Sequence, residues 1–417
     1  MYGARTTLIM DGCVFLFNHV DGLRGGGVLA LGSMVNVSSS VFNGNIALHG
    51  GAIAAVFGAV LGVTSGVRFE ANMAAWGGAI IGDTDTTVEV SGAVQFVGNY
   101  ATTRFCEDPQ VCWPEMIIGA AVVLTNARTR FVARGQVVFR NGFSDQVVGA
   151  VCGAAAVLEF YDGVRIEGNL AKSGGGGVFA VFYPCVILMD GSIVVEDNHD
   201  LGSSTWLTGG GIWNGQSGSV FLSNGVILRA NSAMQGGGFH DDGIQPWDGT
   251  IKMDNITIMD NFARGNGGGA YFFGRSIELS RILFKNNVCG GSAGGAMFEA
   301  GSEVAMRDCQ FIDNEAAENG GALEGNGKDT VLNVESTIFQ SNRALGEGGG
   351  IYLGGAAEAT LEGTSVADCS ADKNGGGIST RGSSILTLKG DVVIQKCASM
   401  NGMGGGMLVR RKLLEIV

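Results

Sequence analysis

The sequence predicts an all-β fold: a right-handed parallel β-helix, a solenoid of about fourteen imperfect coils with three short strands per coil. Three observations predict it. A motif of one apolar residue, two variable residues and Asn recurs about every 27 residues. A glycine pair followed by a small and then an aliphatic residue alternates with it. Between these marks apolar and polar residues alternate with period two, as Val67 and Phe69 do against Arg68 and Glu70, which is the signature of strands.

The first half of the repeat begins at Phe15 and ends at Asn18, and it returns with Asn45, Asn72, Asn99, Asn169, Asn198, Asn231, Asn261, Asn287, Asn314 and Asn342. Cys369 and Cys397 stand where the last two copies should carry Asn, and a copy at Phe139–Asn141 is one residue short. Each of these residues falls at a turn, so stacking successive coils at the ~4.8 Å strand spacing should align them as a structural ladder. The Phe three residues earlier should point inward and stack on its counterpart. Cys369 and Cys397 should lie one strand spacing apart, within the range that a disulfide accepts; two stacked thiols are the alternative.

The second half reads Gly50-Gly51-Ala52-Ile53, Gly294-Gly295-Ala296-Met297 or Gly348-Gly349-Gly350-Ile351. Such glycines permit backbone angles closed to other residues and close passage where a Cβ would clash. A β-propeller would need antiparallel hairpins and a period of about 40 residues, and a leucine-rich repeat its spaced leucines.

Composition agrees. Glycine supplies 72 of 417 residues but proline only 4, and 46% of residues are hydrophobic. That excludes collagen and a disordered glycine-rich linker. The net charge of −13 argues against nucleic acid and anionic lipid as partners. The chain reads as one repeat domain over 1–417 with a loop insertion at about 100–118 that contains Cys106 and Cys112, a local disulfide or two free thiols. A second insertion, before Gly210, contains Trp206. The stretch from Gly50 to Val63 is almost wholly apolar, but the repeat register runs through it, so no transmembrane helix is expected. No signal peptide is visible and both ends fall inside coils, so a piece of a longer protein is expected.

The FxxN and GGA[ILV] pair, alternating over nearly the whole chain, resembles the polymorphic outer membrane protein repeats of chlamydial autotransporters. That resemblance implies a surface-exposed or secreted adhesin, outer-membrane-associated if bacterial. The sequence departs from the family where GGG replaces GGA, where Cys replaces Asn, and in lacking a recognisable membrane barrel.

The expected function is therefore non-catalytic binding of a glycan or protein ligand, with no cofactor and no metal. The rival is a carbohydrate-active enzyme, a polysaccharide lyase, hydrolase or epimerase, using one face of the helix; a third reading is a structural spacer. The best local candidate site is His240, Asp241 and Asp242 with Trp247 and Asp248, where aspartates beside an aromatic could grip a sugar. The segment follows a glycine pair and reads as a turn. His19, His49, His199 and His240 all read as solvated turn residues rather than metal ligands.

Overall fold

A computed structural model describes residues 6–21, 23–102, 104, 119–126, 128–145, 147–172, 174–181, 185–203, 208–215, 218–243 and 249–409, and the backbone of 414–416. Among these there is no α-helix; the chain is a parallel β-solenoid of about fourteen coils. Its contacts divide into two units, Met1–Leu207 with Gly211–Ser219, and Thr208–Gly210 with Val220–Val417. Both are built from the same coil.

In the second unit a coil runs through Ser276–Ser280 in sheet 1, Leu283–Lys285 in sheet 2, Val288–Cys289 in sheet 3 and Ala296–Glu299 in sheet 4. Each strand pairs in parallel with its counterpart one coil on, aligning Ile277 with Val304, Phe284 with Phe311, Cys289 with Ala316 and Met297 with Glu324. The first unit repeats the pattern, with Val88 beside Leu61, Phe96 beside Phe69, Ala101 beside Ala74 and Ile80 beside Ile53. Four sheets thus replace the three expected. Sheet 3 consists of two-residue strands placed directly after the ladder residue, too short to show any alternation in sequence.

A left-handed residue turns each coil from sheet 2 to sheet 3. It immediately precedes the ladder residue, with φ 49° at Ala71, 55° at Asp313 and 53° at Lys396. Asn, Asp and Gly tolerate this conformation best, and the bulkier residues there are strained. The turn delivers the ladder Asn into the interior. Asn72 donates from Nδ2 to the carbonyl of Phe42 at 2.9 Å and to Oδ1 of Asn99 at 3.1 Å. Its own Oδ1 accepts from Nδ2 of Asn45 at 2.9 Å. Asn18 extends this run, Asn169 and Asn198 form another in the first unit, and Asn231, Asn261, Asn287, Asn314 and Asn342 form one in the second. Hydrogen bonds to the buried amides offset the cost of burying them and fix the register.

The short copy has a simple cause. Asn141 occupies the left-handed position at φ 53°, and Gly142 fills the ladder slot, donating its backbone N–H to Oδ1 of Asn169 at 2.9 Å.

The inward Phe residues stack along the coils. Ring centroids lie 5.1 Å apart for Phe42 and Phe69, 4.8 Å for Phe69 and Phe96, and 4.5 Å for Phe284 and Phe311. The glycine pair passes where no side chain fits: a Cβ on Gly321 would lie 2.2 Å from the carbonyl oxygen of Gly349. The apolar stretch at 50–63 folds into the strands Ile53–Val56 and Val60–Val63. No described helix is long and apolar enough to cross a membrane. Tyr100–Ala101 is a sheet 3 strand, while residues 105–118, with Cys106 and Cys112, lie outside the described residues, as does Trp206.

Candidate functional site

Sheet 1 of the second unit presents an open polar face. Along its strands Ile251, Met253, Ile277, Leu279, Val304 and Met306 are buried. Period-two alternation therefore sends the intervening residues outward. Register aligns them in two rows. Lys252, Glu278, Ala305, Asn333 and Thr360 form one; Asp254, Ser280, Arg307, Glu335, Glu362 and Lys389 form the other. Together with Phe221 they line a cleft of about 820 Å³, and a second hollow of about 280 Å³ shares Glu278, Ala305 and Asn333.

The charges in the cleft pair across coils. Lys252 meets Glu278 at 2.9 Å and Arg307 meets Glu335 at 2.8 Å, while Arg281 contacts Asp254. All of these side chains remain substantially exposed, so each pair adds only about 0–1 kcal/mol of stability. Charges so weakly committed can re-pair with a ligand's hydroxyl, carboxylate or ammonium groups at little cost.

The outer side of sheet 4 is different: residues that precede glycine pairs pack on it, Val147 and Val148 in the first unit and Ala293 in the second. In the first unit the row Ala54, Ile81, Val123, Cys152, Phe179 and Trp213 packs with Val147 and Val148 in one apolar cluster. Phe179 and Trp213 stack at 4.1 Å. In the second unit the same row holds His240, Tyr271, Met297, Glu324, Tyr352 and Ser379.

This row contains buried ionisable groups, among them His240, Tyr271 and Glu324. Glu324 is 4% exposed and its Oε2 has no hydrogen-bond partner. Burial pushes its carboxyl up to about 8; the Ser292 hydroxyl opposes the shift, and the charges of Glu299 and Glu318 add to it. Glu299, one coil before and two residues along, accepts a hydrogen bond from the Tyr271 hydroxyl and one from Asn326 Nδ2 at 3.2 Å. Burial, reinforced by Glu299, holds the Tyr271 hydroxyl above its usual range.

His240, Asp241 and Asp242 correct the turn reading. They lie in the sheet 4 strand Phe239–Asp242 and all three are buried. His240 stacks on Tyr271 at 4.9 Å, and burial lowers its imidazole to about 3, so it is neutral at physiological pH. Asp241 forms an ion pair with Arg275 at 3.1 Å, with side chains 0% and 3% exposed. Burial raises Asp242 to about 6, against the pull of Arg275. Trp247 and Asp248 lie outside the described residues.

His49 also departs from the solvated reading: it stacks on Trp76 at 4.8 Å, and burial, helped by the Arg24 cation, lowers it to about 4. His19 and His199 pair with Asp21 and Asp197, each at 3.0 Å. Among the described residues no group of three or more His, Cys, Asp or Glu is placed to hold a metal ion. Tyr271, Glu299 and Glu324 form no local motif because they belong to successive coils. Aligning the chain on its own period would have brought them together.

A family model described as a right handed beta helix region matches residues 242–412. The match falls in the second unit and agrees with its parallel coils. No curated protein and no solved structure matches the chain.

Proposed function

We propose that this protein is a surface-exposed or secreted binding protein that holds a glycan or protein ligand against the outer face of sheet 1. The observation that carries the reading is the cleft of about 820 Å³ lined by Lys252, Glu278, Arg307 and Glu335. Its side chains recur at the ~4.8 Å strand spacing, which suits an extended polymer that presents polar groups at regular intervals. Phe221 offers an apolar surface against which a sugar ring can pack. The repeat's resemblance to chlamydial polymorphic outer membrane proteins supports a cell-surface setting and an adhesin-like role. A glycan array run beside a polysaccharide-degradation assay tests it: binding without degradation is expected, and degradation would overturn it.

One observation favours a second reading, a carbohydrate-active enzyme. Glu324 is held neutral near neutral pH while Glu299 lies close enough to act on it electrostatically. A buried carboxyl that keeps its proton near neutral pH has the protonation state that a general acid needs. On this reading Glu324→Gln abolishes the release of sugar fragments from a polysaccharide; on the binding reading there is no such activity to abolish.

A further inference from the structure

We propose that Cys369 and Cys397 form a thiol–disulfide exchange site, in which Cys397 takes up a small-molecule disulfide and Cys369 closes it into a bridge between two coils. Both thiols sit in the ladder slot. Strand register aligns Val366 with Ile394 just before them and Ser370 with Ala398 just after. Each sulfur takes the contact that an Asn amide makes elsewhere: Cys369 Sγ lies 3.7 Å from the carbonyl oxygen of Phe339, and Cys397 Sγ 3.6 Å from that of Val366. The Asn342 amide ends the ladder on Cys369 Sγ at 3.8 Å. Equivalent residues in adjacent parallel strands have Cα atoms ~4.8 Å apart, inside the window of about 4.4–6.8 Å for a disulfide. A glycine stands against each sulfur, since a Cβ on Gly350 or Gly377 would lie 3.4 or 3.1 Å from it, so on that side no side chain crowds the thiol.

The two thiols are not equivalent. Cys369 is 1% exposed, whereas Cys397 is only partly buried. The hydrogen bond from Cys369 holds the Cys397 thiol below its usual range, against burial and the Asp368 carboxylate, and holds Cys369 above. Burial instead pushes Cys152, Cys185, Cys289 and Cys309 up, so Cys397 is set apart from them as a nucleophile.

The steps balance. The Cys397 thiolate attacks one sulfur of an external disulfide such as oxidised glutathione, breaking that S–S bond and expelling one thiolate. Cys369 loses its proton to solvent and attacks Cys397 Sγ, expelling the second thiolate. The protein loses two hydrogens and two electrons, and the external disulfide is reduced to two thiols.

The test equilibrates the folded chain in glutathione buffers of rising oxidised fraction, quenches with acid and maps cysteine peptides without reduction. A linked Cys369–Cys397 peptide is expected in the wild type, and a glutathione adduct on Cys397 in Cys369→Ala. Under reducing conditions iodoacetamide should label Cys397 at least about tenfold faster than Cys309. The absence of the linked peptide at every ratio, or labelling of Cys397 no faster than Cys309, overturns the proposal. Both wild-type measurements stand whether or not the variant folds.

Discussion

Asn314 donates one side-chain amide to two acceptors in two coils: Oδ1 of Asn342 in the following coil at 3.0 Å, and the carbonyl of Phe284 in the preceding coil at 3.0 Å. Its own Oδ1 accepts from Nδ2 of Asn287, also at 3.0 Å. One residue therefore ties three coils together. Asn314→Ala leaves a buried carbonyl and two neighbouring amides short of partners, and it should cost about 1–3 kcal/mol. Equilibrium denaturation reads this as a lower midpoint; an unchanged midpoint would mean the ladder contributes no stability.

Phe311 lies between Phe284 and Phe339, at 4.5 and 4.9 Å, and is fully buried. Phe311→Ala opens a cavity that coils fixed by their ladders on both sides cannot close, and it should cost about 3–5 kcal/mol. The same denaturation experiment should rank it above Asn314→Ala.

Two glycines should respond differently to the same change. A Cβ at Gly321 would meet the backbone of Gly349 at 2.2 Å and of Arg343 at 2.5 Å, so Gly321→Ala must push coils apart, at about 3 kcal/mol or more. At Gly382, φ is +72° but nothing lies within 4 Å, so Gly382→Ala meets only the left-handed penalty of about 1–2 kcal/mol. Equal losses would show that conformation rather than packing selects the paired glycines.

Glu324 should make stability fall as pH rises. Its folded pKa of about 8 lies above the unfolded carboxyl value of about 4.5. Its proton-linked stability is therefore fully present below pH 4.5 and is lost as the pH climbs through 8. Glu324→Gln keeps the shape and removes the charge, so the decline in melting temperature between pH 5 and 9 should flatten. An unchanged slope would place the proton elsewhere.

The repeat was legible because stacking imposes the same demand on the same slot in every coil. Phe42, Phe69 and Phe96 fill one column, and Asn45, Asn72 and Asn99 another, so period and chemistry coincide. Sheet 3 was not legible: a strand such as Val288–Cys289 has one residue facing each way, and two residues carry no periodicity. His240 and Asp241 were misread because glycines announce turns, whereas here the turn ends at the glycine pair and Phe239–Asp242 continues as a strand. The partner of Asp241, Arg275, lies in the next coil, beyond the reach of any local motif.

Of the two faces, the open sheet 1 cleft and the covered sheet 4 row, only the first is free to take a large ligand as it stands. A glycan and protein array probed with the wild type, with a Lys252→Ala/Arg307→Ala double variant and with Lys285→Ala tests this most directly. Lys252 and Arg307 line the cleft, while Lys285 projects from sheet 2. The wild type and Lys285→Ala should give the same set of ligands, and the double variant should lose about tenfold or more in affinity for them with an unchanged melting temperature. Binding that survives in the double variant, or a wild type that binds nothing on the array, would contradict the assignment of the cleft.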